Sequence, residues 1–237
     1  MTLIQHQLFN SLPIHLLEDE IKEPKNVIAR FFDYATLPHY RKFITGMLHA
    51  AYKDDYWKKG EPGTILNAYE NIERLIEAVF LINSNKNNAE EANASLSTDE
   101  NIIQQAVVDP ALYCGWHDKR KAWEFFPRHL SKKEFINPYT VFQKFFKFHD
   151  LATWREELHE LFFCSLISDS TVRTGIDLDY LGIYKHLQKL IEAAHLIDIR
   201  EIFEIDGIER SKFKRQKVVA TEEIKNEDTH TETSATK

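Results

Sequence analysis

Two stretches of this 237-residue chain are versions of one another. Pro13 to Ala51 aligns without a gap on Pro127 to Ser165 at an offset of 114, with identities at 10 of 39 positions. Leu66 to Asn83 aligns on Leu181 to Asp198 at an offset of 115, with 8 of 18 identical. A period this long exceeds the roughly 20–50 residues of solenoid repeats, so each copy reads as a small domain or half-domain. The duplication therefore predicts two similar halves packed around a shared or paired core.

The spacing of apolar residues says what each half is made of. Leu37, Tyr40, Ile44, Met47 and Leu48 fall on one helical stripe, and Leu66, Tyr69, Ile72, Ile76, Val79 and Phe80 on another. Leu151, Trp154, Leu158, Leu161 and Phe162 reproduce the first stripe. Leu181, Tyr184, Leu187 and Ile191 reproduce most of the second. Pro24 and Pro138 stand where a first helical turn tolerates a missing N–H, with Asn137 as the expected N-cap of the later helix. Seven Gly and seven Pro are few for a chain of this length and argue against a fold of many tight turns. The expectation is an all-α, internally duplicated helical bundle, with three to four helices in each half and a pseudo-two-fold relation between the halves. No strand is predicted.

This reading divides the chain into four parts. Residues 1–83 form the first helical repeat and 126–209 the second. Between them, 84–125 comprises a polar, Asn-rich linker over Ser84–Thr98, a short helix opened by the capping-box pattern at Ser97–Glu100, and an aromatic-basic stretch. Residues 210–237 read as a basic, then Thr/Glu-rich, disordered tail.

Net charge of −7 gives no global attraction to nucleic acid or anionic membrane. Two cysteines, Cys114 and Cys164, are too few for a disulfide framework and lack metal-site spacing. The opening residues lack a basic region followed by a long apolar core, and no apolar run reaches about 18 residues. The expected setting is cytoplasmic, without membrane contact.

Duplication provides an internal filter for function, because residues needed twice recur twice. The recurring polar positions are His15/His129, Glu20/Glu134, Arg41/Arg155, Tyr69/Tyr184 and Glu77/Glu192. As binding residues, His15, His129, Arg41, Arg155, Glu77, Glu192, Tyr69 and Tyr184 would line two equivalent pockets. As structural residues, they would make inter-helix ion pairs Arg41–Glu77 and Arg155–Glu192, each within one copy.

Two further patterns carry chemistry. Glu156, His159, Glu192 and His195 repeat the Glu-x-x-His spacing found in helical di-iron carboxylate sites, which makes a metal-dependent enzyme an alternative. Against it, the first copy has Thr45 and Phe80 where the second has His159 and His195. The stretch 115–133 interleaves aromatics with cations: Trp116, Trp123, Phe125 and Phe126 with Lys119, Arg120, Lys121, Arg128, Lys132 and Lys133. Such a surface can stack bases and hold phosphates, and 210–217 could add a second basic contact. The competing expectation packs Trp123 and Phe126 inward. Gly-rich phosphate loops, GxSxG and HExxH are absent. The reading is a non-catalytic protein-interaction or regulatory module without cofactor or metal, whose partner is a protein. A nucleic-acid-binding regulator is the alternative.

Overall fold

The computed structural model describes residues 12–53, 57, 61–86, 123–167, 179–202, 204–205 and 208–209. Eight α-helices are described. The first segment contributes α1 (Glu18–Lys22), α2 (Pro24–Tyr34), α3 (Leu37–Tyr52) and α4 (Pro62–Lys86). The second contributes α5 (Lys132–Ile136), α6 (Tyr139–Phe148), α7 (Leu151–Leu166) and α8 (Tyr180–Glu201). The protein is mostly helical, as the apolar spacing predicts. The exception is a two-residue antiparallel pair, β1 (Glu204–Ile205) with β2 (Ile208–Glu209), which the sequence reading did not anticipate. No described helix is long and apolar enough to cross a membrane.

Local chemistry sets the helix starts. Asp150 opens α7 by accepting the Thr153 N–H at 2.8 Å, and Asp179 opens α8 by accepting the Gly182 N–H at 2.8 Å. Ser131 and Glu134 make a full capping box at α5. At α1 the cap position is Leu17, which has no side-chain acceptor, so only the Glu20 half of the box survives, taking the Leu17 N–H at 3.0 Å. Asn137 is not the side-chain cap expected of it. Its backbone closes α5, and Pro138 stands at the cap of α6 with helical dihedrals. The linker expectation is also corrected at its start, because α4 continues through Ser84 and Asn85 to Lys86. The short helix expected after Ser97 and the disordered tail lie outside the described residues.

The helices interleave. α3 packs on α7 and α8, α4 packs on α7 and α6, and α2 packs on α8 as well as on α4, whereas α3 and α4 touch each other only lightly. α3, α7 and α8 thus cover their apolar stripes mainly with helices from the other segment, while α4 divides its own between α2 and the pair α6 and α7. One continuous core results, running from Ile28 and Phe31 through Met47 and Leu75 to Phe145, Trp154 and Leu190.

Sequence-equivalent aromatics hold sequence-equivalent helix corners. Tyr40 stacks on Phe31 with centroids 3.7 Å apart, and its hydroxyl donates to the Phe31 carbonyl at 3.0 Å. Trp154 stacks on Phe145 at 4.1 Å, and its indole N–H donates to the Phe145 carbonyl at 3.2 Å. In each case a large buried ring supplies apolar contact, and its polar tip closes the C-terminal end of the preceding helix. Replacing Tyr40 by Trp154 keeps both functions, which is why the position varies without altering the corner.

Because each segment's apolar faces are covered by the other, neither is expected to fold alone. Residues 1–99 and 100–237, made separately, should show weak helical circular dichroism and no cooperative melt, and mixing them should restore both. A cooperative melt from either fragment alone would contradict the interleaved packing.

Candidate functional site

The recurring polar residues assemble into two buried carboxylate clusters. Glu77 on α4 is fully buried and accepts the backbone N–H groups of Ile14 (3.1 Å) and His15 (2.8 Å). Its Oε1 also meets His15 Nδ1 at 2.9 Å and the Arg155 guanidinium from α7. Glu192 on α8, equally buried, accepts the N–H groups of Arg128 (3.0 Å) and His129 (2.8 Å), with His129 Nδ1 at 2.8 Å. Arg41 from α3 completes this set, its Nε 3.1 Å from Glu192 Oε1.

The arginines are therefore exchanged. Arg41 of the first segment pairs with Glu192 of the second, and Arg155 of the second with Glu77 of the first. The expected pairs within each copy, Arg41–Glu77 and Arg155–Glu192, are not formed. The reason is packing: α3 lies against α8 and α7 against α4, so each arginine meets the carboxylate of the opposite segment. Arg41 also donates to the carbonyls of Glu124 (2.6 Å) and Phe126 (2.8 Å), and Arg155 to that of Leu12 (2.6 Å). Each arginine thus clasps the strap preceding a short helix onto the helix that holds the carboxylate. Both carboxylates have their oxygens engaged by protein donors, which suits a structural bond better than a ligand site.

The two tyrosines diverge. Tyr69 stacks on Phe162 at 4.4 Å and donates to Glu73 Oε1 at 2.5 Å. Burial pushes the Glu73 carboxyl above the ordinary carboxylate range, partly opposed by Tyr69 and by His15, whose Nε2 is 3.8 Å away. Tyr184 instead meets His129 edge-on, and Gln188 replaces the equivalent of Glu73. A second recurring carboxylate completes the frame. Glu20 takes Arg30 and Arg74, while Glu134 takes Lys144 and Lys189, so both cations change from Arg to Lys together. Burial of Glu134 is outweighed by hydrogen bonds from Lys144, Lys189 and Ser131, which hold its pKa down at about 2.

The residues of the metal alternative are not brought together. Glu156 and His159 are exposed on α7, whereas Glu192 and His195 are buried on α8. Glu192 is committed to Arg41 and His129, and His195 lies 5.1 Å from the Phe32 ring, in an aromatic setting that suits the Phe80 found at the aligned position of the first segment. Among the described residues no cluster of three or more His, Cys, Asp or Glu is placed to hold a metal ion. Of the nucleic-acid set, Trp116, Lys119, Arg120 and Lys121 lie outside the described residues, as does the basic stretch 210–217. Arg128, Lys132 and Lys133 are exposed. Trp123 is half-exposed rather than inward-facing, whereas Phe126 packs against the core as expected and Phe125 is buried in it.

At one pair of equivalent positions sequence reasoning missed two ionisable residues. Where the first has Ala35 and Phe43, the second has His149 and Glu157, with His149 Nε2 3.2 Å from Glu157 Oε1. His186 stacks on Phe148 beside them at 4.2 Å. Burial, reinforced by Asp179, pushes the Glu157 pKa up to about 7. Burial also lowers His149, against the opposing pull of Asp150 and Asp179, and lowers His186, assisted by Lys185 and Lys189. The legible signal was the exchange of an apolar pair for an ionisable one at aligned positions. Comparison of the chain with protein-family models, with curated proteins and with solved structures finds no match.

Glu157 gives a signed pH dependence. Its folded pKa, near 7, lies above the ordinary value of 4.5, so its contribution is present in full below about pH 4.5 and is lost as pH rises through 7. Glu157→Gln, which mimics the protonated acid, should match the parent near pH 5 and exceed it in stability by about 2 kcal/mol at pH 8. Parallel urea titrations at the two pH values measure this. A difference that does not change with pH would remove Glu157 as a titrating group.

Proposed function

We propose that this chain is a non-catalytic protein-interaction module, built from two copies of one helical unit related by a pseudo-two-fold axis and working in the cytoplasm. The observation that carries this reading is a difference between equivalent straps. In the first segment Leu12, Ile14, Leu17 and Ile21 are 42% to 60% exposed. The equivalent positions in the second are Phe126, which packs against the core, Arg128 and Ser131, which are polar, and Phe135, which is buried. The second strap thus follows the ordinary rule of apolar inside and polar outside, and the first departs from it.

Four large apolar side chains are exposed between positions 12 and 21, on a backbone held at Leu12, Ile14 and His15 by Arg155 and Glu77, and a cluster of exposed apolar groups marks a protein contact. The strap is ordered in advance, so a partner meets little further entropic cost in docking there. The absence of catalytic motifs in the sequence, and the engagement of the recurring His, Arg and Glu residues with one another, both favour binding over chemistry. The partner that suits this surface is a protein with an apolar groove.

Ile14→Asp with Leu17→Asp tests the reading. Both side chains are solvent-exposed, so stability should change by less than about 1 kcal/mol. A partner captured from native lysate by the parent protein, and resistant to nuclease, should be lost by the double variant. Lys132→Glu with Lys133→Glu should retain it. The opposite pattern, with binding lost only on charge reversal and falling steeply with salt, would replace this reading with nucleic-acid recognition.

A further inference from the structure

The first segment contains a cavity of about 270 Å³ between the start of α3 and the start of α4, and its walls are unusual in how they are held. Tyr34, Tyr40, Phe43 and Trp57 line it with Ala68 as the floor, and the Phe43 and Trp57 rings touch, their centroids 5.4 Å apart. Trp57 lies in the connection between α3 and α4, yet it is fixed at two points. Its backbone N–H donates to the Ser165 carbonyl at the end of α7 at 2.8 Å, and its ring lies on Gly46. A Cβ at Gly46 would stand 2.6 Å from the Trp57 ring. Glycine in the interior of a helix costs about 1 kcal/mol relative to alanine, so its presence in α3 has a packing reason: it makes room for the indole.

The residues at the aligned positions of the second segment are larger. Gly46 becomes Glu160, Ala68 becomes Ile183, and Ala35, also on the cavity wall, becomes His149. Small residues that admit a cavity in one copy are larger in the other. The rim adds charge to an aromatic interior. Lys42, replaced by Glu156 in the second segment, is exposed at the cavity and makes no ion pair among the described residues. His39 stands beside it, with Nδ1 2.9 Å from the Thr36 hydroxyl.

We propose that this cavity is a small-molecule site for a compact aromatic carboxylate, its ring packed over the Phe43–Trp57 pair and its carboxylate on Lys42. The volume suits one ring with a short side chain, below the size of drug-like ligands. Aromatic walls favour a planar apolar group through edge and face contacts. The Lys42 ammonium, without an ion pair among the described residues, selects a negative end in a protein whose net charge is −7, and so opposes the overall repulsion of anions. This site is separate from the exposed strap, so it stands whether or not that strap binds a protein.

The test uses 3-phenylpropionate and its neutral amide, titrated into the full chain and followed by calorimetry. The parent should bind the acid at least tenfold more tightly than the amide. Lys42→Gln, on the surface, should abolish that preference, and Ala68→Leu, which fills the floor, should abolish binding of both. No binding of either compound, equal affinities in the parent, or a preference that survives Lys42→Gln would each overturn the proposal. Should Ala68→Leu fail to fold, the Lys42→Gln comparison decides alone.

Discussion

Each of two buried carboxylates, Glu77 and Glu192, is held by an arginine that comes from the opposite half of the chain. Removing an ionised carboxylate from water is costly, and an unpaired one at these depths would not be tolerated. The fold therefore depends on bringing α3 to α8 and α7 to α4. The backbone donors of Ile14, His15, Arg128 and His129 add to the same carboxylates, so the straps before α1 and α5 are tied into the core by the same bonds. Two reciprocal clasps join what would otherwise be two small helical units, each too small to bury its own stripes.

Where the equivalent positions agree, they carry architecture; where they differ, they carry candidate function. Phe31 with Tyr40 and Phe145 with Trp154 close the same corner with the same geometry. Glu20 and Glu134 keep two cationic partners each. By contrast, Ala68 and Lys42 line a cavity walled by the Trp57 ring that Gly46 accommodates, and the aligned residues of the second segment are Ile183, Glu156 and Glu160. His149 and Glu157 place two ionisable groups where the first segment has Ala35 and Phe43. The straps diverge in the same manner, one apolar at the surface and one polar. A frame secured at conserved internal positions leaves the remaining positions of each half free to specialise.

The helices were legible in the sequence because their stripes repeat at helical spacing, and the recurrence of His, Arg, Glu and Tyr pointed to the residues that matter for packing. Partner choice was not legible. Sequence order places Arg41 nearest to Glu77, and only the three-dimensional interleaving, with α3 lightly touching α4, sends it to Glu192. The cap of α6 was misassigned because Asn137 is a favourable cap type, but its backbone is used to end α5. The β1–β2 pair carried a signal in Asp206-Gly207 between two Ile/Glu dipeptides, a hairpin pattern short enough to escape periodicity. Filtering for recurrence also hid what is unique to one copy, which is why Glu157 and the Gly46–Trp57 contact emerge only from the structure.

The exchange of arginines is most directly tested by double-mutant cycles in urea, combining Arg41→Ala and Arg155→Ala with Glu77→Gln and Glu192→Gln. Coupling of about 1–3 kcal/mol is predicted for Arg41 with Glu192 and for Arg155 with Glu77. Arg41 with Glu77 and Arg155 with Glu192 should be additive within about 0.5 kcal/mol. Strong coupling within each segment, with additivity across them, would contradict the interleaved fold and return the chain to two self-contained halves.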